Sequence, residues 1–104
     1  MRARLQRIPS LSSKEAIILD LLTPGRELYG LELVAASKGG LKRGTVYVTL
    51  GRMEDKGYVQ SRLEDAPPAA GGLPRRVYEA TPFGRRVLDA WTLVARRVTL
   101  GFAR

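Results

Sequence analysis

Apolar positions in the first half of the chain repeat with the period of an α-helix in three consecutive segments. In "SLSSKEAIILDLLTPG", Ser12 can cap a helix and Glu15 can complete a capping box, and the apolar run ends at the turn sequence "TPG". A second helix is predicted over about 29–37 and ends at a glycine pair, and "GTVYVTLGRMEDKG" supplies a third. Three short helices, the last two joined by a glycine-containing turn, are typical of a helix-turn-helix.

The period changes from helical to alternating after Gly57. In "YVQSRLED", Val59 and Leu63 alternate with polar residues, which predicts a half-buried strand. "RRVYEAT" predicts the return strand, with Tyr78 and Ala80 on one face. The loop "APPAAGGLP" joins the two strands and is long for a hairpin. Two strands that follow a helix-turn-helix form a wing.

A last helix is predicted from Pro82, a residue favoured in the first turn. It has one wide apolar stripe and a second, narrow one. Its own domain can cover only one of these, so the other is expected to meet a second copy of the chain. The residues predicted for this dimer interface are Val87, Trp91, Leu93, Val94, Val98, Leu100 and Phe102.

These elements predict a mainly α fold with a small β wing (α+β), a winged helix-turn-helix plus a C-terminal dimerisation helix. The expected division is a basic N-terminal arm over 1–10, a DNA-binding domain over 11–81 and the dimerisation helix over 82–104. Two interpretations of the arm stay open. Its arginines follow the DNA, or the segment is disordered or packs on the dimer. The arginines concerned are Arg2, Arg4 and Arg7.

Composition narrows the function further. The chain has 18 Lys and Arg against 10 Asp and Glu, a formal charge of +8 with a pI near 10.6, which favours nucleic acid as the partner over an anionic membrane. Without cysteine or histidine, thiolate nucleophiles, histidine acid–base chemistry and Cys/His metal sites are excluded. We therefore expect no enzyme, no cofactor, no metal site and no membrane span. The expected location is the cytoplasm, with association to the nucleoid through DNA.

The third helix has two chemically distinct sides. At about 100° per residue, an apolar stripe of Val46, Leu50 and Met53 faces one way. A second side holds only hydroxyls and cations. Such side chains contact base edges and phosphates in the major groove. The residues of this second side are Thr45, Thr49, Arg52 and Lys56.

Five further residues are candidates for DNA contact. Lys42 and Arg43 precede the helix and suit phosphate binding, or belong to an ordinary solvated turn. Tyr47 is either a half-buried packing residue or a hydroxyl donor to the DNA backbone. Arg75 and Arg76 begin the return strand and are expected at phosphates or in the minor groove, unless one of them pairs with an acidic residue of the wing, Glu64 or Asp65.

Three local patterns over about 12–88 carry a family resemblance. "LYGLEL" matches the first in Gly30, Glu32 and Leu33. "RGTVYVTLGRMEDKGYV" matches the second in Gly44, Thr45, Tyr47, Leu50, Arg52, Glu54 and Gly57. "LPRRVYEATPFGRRVL" matches the third in Pro74, Arg75, Arg76, Tyr78, Thr81 and Gly84. In this order and spacing they resemble the PadR family of bacterial transcription regulators, in the short form with one C-terminal helix.

The resemblance implies a DNA-binding regulator, in most cases a repressor. The sequence departs from the family pattern at three positions: Leu31 replaces a tyrosine, Val48 replaces a proline and Gly51 replaces a bulky residue. In short PadR-like regulators, a cavity between the C-terminal helices of two subunits can admit flat aromatic or cationic compounds. Trp91 is therefore either a core or dimer-interface anchor, or a platform on which an aromatic ligand stacks.

The function predicted from these observations is a homodimeric, sequence-specific transcription regulator that represses from a palindromic operator in double-stranded DNA, with release by a small aromatic effector as a hypothesis. Two alternatives stay open. One is a ligand-independent regulator of the same fold. The other is a winged-helix interaction module that uses its basic face against an acidic protein.

Overall fold

The computed structural model describes residues 9–65 and 71–102, with only the backbone for 97–102. Residues 1–8 of the predicted arm (1–10), residues 66–70 of the loop in the wing and residues 103–104 lie outside the described residues. Within them the fold is α+β, as predicted, and it consists of four helices and a three-stranded antiparallel sheet. The elements are α1 (Ser13–Leu22), β1 (Leu28–Tyr29), α2 (Gly30–Ala36), α3 (Arg43–Asp55), β2 (Val59–Glu64), β3 (Arg75–Ala80) and α4 (Pro82–Phe102).

The start of α1 is fixed by the capping box that the sequence predicts. The Glu15 backbone N–H donates to the Ser12 hydroxyl at 3.2 Å, and the Ser12 N–H donates to Glu15 Oε1 at 2.8 Å. Two of the N–H groups at the helix start are thereby satisfied. The turn from α2 to α3 is closed by Ser37, whose hydroxyl donates to the Val34 carbonyl at 2.7 Å and accepts the Leu41 N–H at 2.9 Å.

The sheet has one strand more than the sequence predicts. β3 lies in the centre, with β2 on one side and the two-residue strand β1 on the other. β1 is too short to show an alternating pattern, which is why periodicity did not reveal it. It ties the start of α2 to the wing, because Tyr29 pairs with Val77. Leu63, predicted on the buried face of β2, is 62% exposed, so that face is covered only near Val59.

The core is formed where α1, α2, α3, the sheet and the first turns of α4 meet. Its fully buried side chains are Ile18, Leu19, Leu22, Leu33, Val46, Leu50, Met53 and Val59. α4 joins this core through Val87, which is 4% exposed. Val87 is predicted above as a dimer-interface residue, and in the single chain its side chain is already enclosed by the chain's own core.

The junction between α3, β2 and α4 is held by one hydroxyl group. Thr81 Oγ1 donates to the Gly57 carbonyl at 2.6 Å and accepts the Gly84 N–H at 2.9 Å. Gly84 is buried against the backbone of Tyr58, where a Cβ would lie only 2.9 Å from the carbonyl carbon. α4 therefore begins at a fixed place beside the C-terminal end of α3.

Candidate nucleic-acid interface

α3 buries one side and presents the opposite side to solvent. Val46, Leu50 and Met53 are at most 1% exposed, as their predicted apolar stripe requires. Of the second side, Thr45 and Arg52 are exposed. Thr49 is half-buried, and its hydroxyl donates to the Thr45 carbonyl at 3.2 Å within the same helix.

The most outward part of α3 lies next to the predicted hydroxyl-and-cation side. Val48 is about 160° from both Val46 and Leu50 around the helix and is 57% exposed. Gly51 is also exposed, and no atom lies within 4 Å of where its Cβ would be. Sequence reasoning singled out these two positions only as departures from a family pattern. Val48 lies opposite the apolar stripe and Gly51 lies about 60° from Val48 around the helix, and this placement is the signal that would have found them.

Lys56, at the end of α3, is already engaged within the chain. Its ammonium lies 2.8 Å from Glu15 Oε2 and 3.3 Å from the Ser10 hydroxyl. The Glu15 side chain is only 5% exposed. Burial raises the pKa of Glu15, but hydrogen bonds from Lys56 and from the Ser12 backbone outweigh it and hold that pKa below its ordinary value. This ion pair fastens the end of α3 to the start of α1.

The N-terminal end of α3 is open to solvent and basic. Lys42 occupies the N-cap position, and both it and Arg43 are exposed. Tyr47 is 51% exposed, with its ring against Gly30, where a Cβ would come within 2.7 Å of the hydroxyl oxygen. The Tyr47 ring thus packs against Gly30 on one side, and about half of the residue remains accessible to solvent.

The two wing arginines are exposed, and each contacts another side chain of the wing or of β1. Arg75 lies over the Tyr29 ring, 4.0 Å from its centroid, and donates to the Tyr29 hydroxyl at 3.1 Å. Arg76 donates to the Ser61 hydroxyl at 2.9 Å. The Tyr29 hydroxyl donates a short hydrogen bond to Glu64, which lowers the pKa of that carboxyl. Arg75 and Glu64 are therefore linked by the Tyr29 hydroxyl, which hydrogen-bonds to both. Among the described contacts, the ion pair of Glu64 is with Arg62.

A shallow groove runs between the start of α1 and the outward side of α3. Its lining combines hydroxyls, cations, one carboxylate and one apolar side chain: Ser12, Ser13, Lys14, Glu15, Thr45, Val48, Thr49 and Arg52. A second concavity separates α2 and α3 from the wing and includes Tyr29, Tyr47, Arg75 and Arg76. The basic residues predicted separately on α3 and on the wing thus border two neighbouring concave surfaces.

α4 leaves apolar side chains uncovered on two sides of the helix in the single chain. Leu93 and Val94 are each 52% exposed, and Trp91 is 39% exposed. Trp91 Nε1 donates to the Pro9 carbonyl at 2.9 Å, and the Tyr58 hydroxyl donates to the Ser10 carbonyl at 2.6 Å. The segment before α1 is therefore attached to α4. The side chains of Val98, Leu100 and Phe102 lie outside the described part.

Metal-binding and membrane-spanning features are not found in the described residues. Over 9–65 and 71–102, no cluster of three or more acidic side chains is arranged to hold a metal ion. Nor does any helix in those ranges have the length and apolar character needed to cross a bilayer.

The comparison with known protein families shows to which family this chain belongs. The model of the PadR-like family of transcriptional regulators matches residues 18–90. The chain belongs to the PadR-like family. It is therefore a transcription regulator and not an enzyme, as the sequence motifs predicted.

Solved structures of PadR family regulators share the fold. One from Clostridium difficile is 25% identical with a TM-score of 0.75, covering 88% of this chain and 96% of its own. One from Eggerthella lenta is 25% identical with a TM-score of 0.71, covering 85% and 76%. Bacillus subtilis PadR, solved with operator DNA, is 25% identical with a TM-score of 0.65, covering 74% of this chain and 45% of its own. Curated protein sequences gave no significant match.

Proposed function

We propose that this PadR-like protein is a sequence-specific DNA-binding repressor that acts as a homodimer on a palindromic operator. The observation that carries the proposal is the exposed side of α3, where Thr45 and Arg52 stand beside a groove that also holds Lys14. Hydroxyls and guanidinium groups are the side chains that contact base edges in the major groove. The structure of Bacillus subtilis PadR with operator DNA supports the same use of the fold.

The residues divide into base contacts and phosphate contacts. The base contacts are assigned to Thr45, Thr49 and Arg52. Of these, Arg52 can form bidentate hydrogen bonds to guanine. The phosphate contacts are assigned to Lys42, Arg43, Tyr47, Arg75 and Arg76. Lys56 has two of its three N–H donors committed to Glu15 and Ser10, so we propose that it chiefly positions the end of α3.

The dimer is proposed to form through α4. Trp91, Leu93 and Val94 present an apolar surface of the kind that is covered when two copies associate. Val98, Leu100 and Phe102 are predicted to extend it. Two copies would place two α3 helices about one DNA turn apart, roughly 34–36 Å, which suits two half-sites of a palindrome. The protein would act at the chromosome, in the cytoplasm.

A small aromatic effector is proposed to release the protein from its operator. The support is Trp91, an aromatic ring that is still accessible on α4. A ligand stacked there would change how the two α4 helices pack. The distance between the two α3 helices of the dimer would change as a result. Planar aromatic compounds at micromolar concentration should quench the fluorescence of this single tryptophan and weaken operator binding in parallel. Quenching by no compound of a broad panel would favour the ligand-independent regulator.

The proposal is tested by selecting duplexes from a random DNA pool and titrating the selected duplex and a scrambled one. Arg52→Ala should weaken binding to the selected duplex roughly 5- to 150-fold, and Thr49→Val should weaken it less. Arg26→Ala removes one exposed arginine outside α3 and the wing, and it should change little. If any polyanion binds equally well, and an acidic protein competes, the interaction module is the better explanation.

A further inference from the structure

Val48 and Gly51 are two residues on the outward side of α3 that folding does not explain. Val48 is β-branched, which is mildly unfavourable in a helix, and its side chain is 57% exposed. Glycine is, after proline, the least favourable residue in a helix interior, and no neighbouring atom lies within 4 Å of a Cβ placed at Gly51. Neither residue is therefore required by packing.

The two residues form one surface. Positions three and four apart are neighbours on a helix, so Val48 adjoins Gly51 as well as Thr45 and Arg52. Val48 also lines the same groove as Thr45 and Arg52. The result is a pair of methyl groups with a hydroxyl on one side, a guanidinium on the other, and a bare stretch of backbone between successive turns.

This surface matches one feature of duplex DNA. The C5-methyl of thymine is an apolar group in the major groove, and apolar side chains contact it there. An apolar protein surface is a poorer match, because the exposed guanidinium of Arg52 adjoins Val48 and the exposed carboxylate of Asp55 follows Gly51 by one helical turn. The occupant that fits both the methyl groups and the charge is therefore a thymine-containing major groove.

We propose that Val48 packs against a thymine C5-methyl in each operator half-site, and that Gly51 allows the backbone of α3 to approach closely enough for that contact. Val48 is then a specificity-determining residue, which selects a T·A pair within each half-site. The inference rests on the proposed function, since it requires α3 to lie in the major groove. It adds the identity of one base and the residue that selects it.

The test replaces one thymine at a time by deoxyuridine in the duplex selected by the wild-type protein. This removes a single methyl group and leaves base pairing intact. Burial of one methyl group contributes roughly 0.8 kcal/mol, which corresponds to about a fourfold change in affinity. One thymine in each half-site should show this loss with the wild type. Val48→Ser, which removes both methyl groups, should bind thymine and deoxyuridine duplexes alike, whereas Val48→Thr, which keeps one methyl group, should retain part of the difference.

The outcomes separate this inference from the proposed function. A selected duplex that tolerates deoxyuridine at every thymine would overturn the role of Val48 while leaving DNA recognition by α3 intact. That role would also be overturned if Val48→Ser retained the wild type's sensitivity to the missing methyl. Failure to select any duplex would overturn the proposed function and this inference together. Thymines outside the two half-sites serve as the internal control.

Discussion

Replacement of Gly84 by alanine should damage the fold at the point where α4 meets the end of α3. The new Cβ would overlap the Tyr58 carbonyl oxygen and lie 2.9 and 3.0 Å from the carbonyl carbon and Cα, whereas ordinary contacts begin near 3.4 Å. The obstructing atoms are backbone, so no side-chain rotation relieves the overlap. α4 or the start of β2 must move.

The cost follows from what that movement disturbs. Overpacking alone costs about 3 kcal/mol when backbone must shift. The movement also strains the hydrogen bonds of Thr81, one to the Gly57 carbonyl at 2.6 Å and one from the Gly84 N–H at 2.9 Å, each worth roughly 1 kcal/mol. A loss of about 3–5 kcal/mol is expected, a large part of the roughly 5–15 kcal/mol by which a domain is stable.

The assay is urea unfolding followed by circular dichroism, at one protein concentration because dimerisation would couple to stability. Gly51→Ala is the matched control. It makes the same chemical change in open space, and it should raise the free energy of unfolding by up to about 1 kcal/mol. Equal effects of the two substitutions, or a Gly84→Ala variant as stable as the wild type, would refute the packing of α4 on Tyr58.

Three further results are expected. Lys56→Met should lower the free energy of unfolding by about 1–2 kcal/mol because it leaves the nearly buried Glu15 carboxylate unpaired, whereas Lys56→Arg should lose less; equal urea midpoints for all three proteins would contradict this. The pKa of Glu15 is held below its ordinary 4.5, so the ionised carboxylate contributes fully to the free energy of unfolding above about pH 4.5. That contribution is lost as the pH falls through the lowered pKa. The urea midpoint should therefore drop on acidification, and it should drop less in Glu15→Gln. Leu93→Asp should shift sedimentation from dimer to monomer, whereas Val87→Ala should lower stability and leave the dimer intact; a monomeric wild type would remove the basis of the α4 interface.

Much of the fold could be predicted from the sequence because its signals are local. The capping box at Ser12, the stripe of Val46, Leu50 and Met53, and the proline at the start of α4 each lie within a few residues of the structure they specify. The alternating pattern placed both long strands of the wing for the same reason. β1 was missed, since two residues have no period and the strand exists only through its pairing with β3.

The site was harder to predict where tertiary contacts decide what a side chain does. The helical period places Lys56 on the hydroxyl-and-cation side of α3. Its ammonium nevertheless forms an ion pair with Glu15, which lies 41 positions away in the chain. Val87 shares the helical stripe of Trp91, but only the packing of α4 on the core determines which of them is enclosed. Val48 and Gly51 show the reverse case. The helical period places both away from the apolar stripe, but neither side chain has the charge or the hydroxyl group expected of a DNA contact.

The proposed function requires the outward side of α3 to enter the major groove of duplex DNA, and guanine N7 methylation by dimethyl sulfate reports on that groove. Guanine N7 lies in the major groove, whereas the adenine N3 attacked by the same reagent lies in the minor groove. We predict two patches of protected guanine N7 about one helical turn apart on the selected duplex, with loss of protection at a guanine when Arg52 is replaced by alanine. Unprotected guanine N7 atoms throughout a bound duplex would contradict entry of α3 into the major groove.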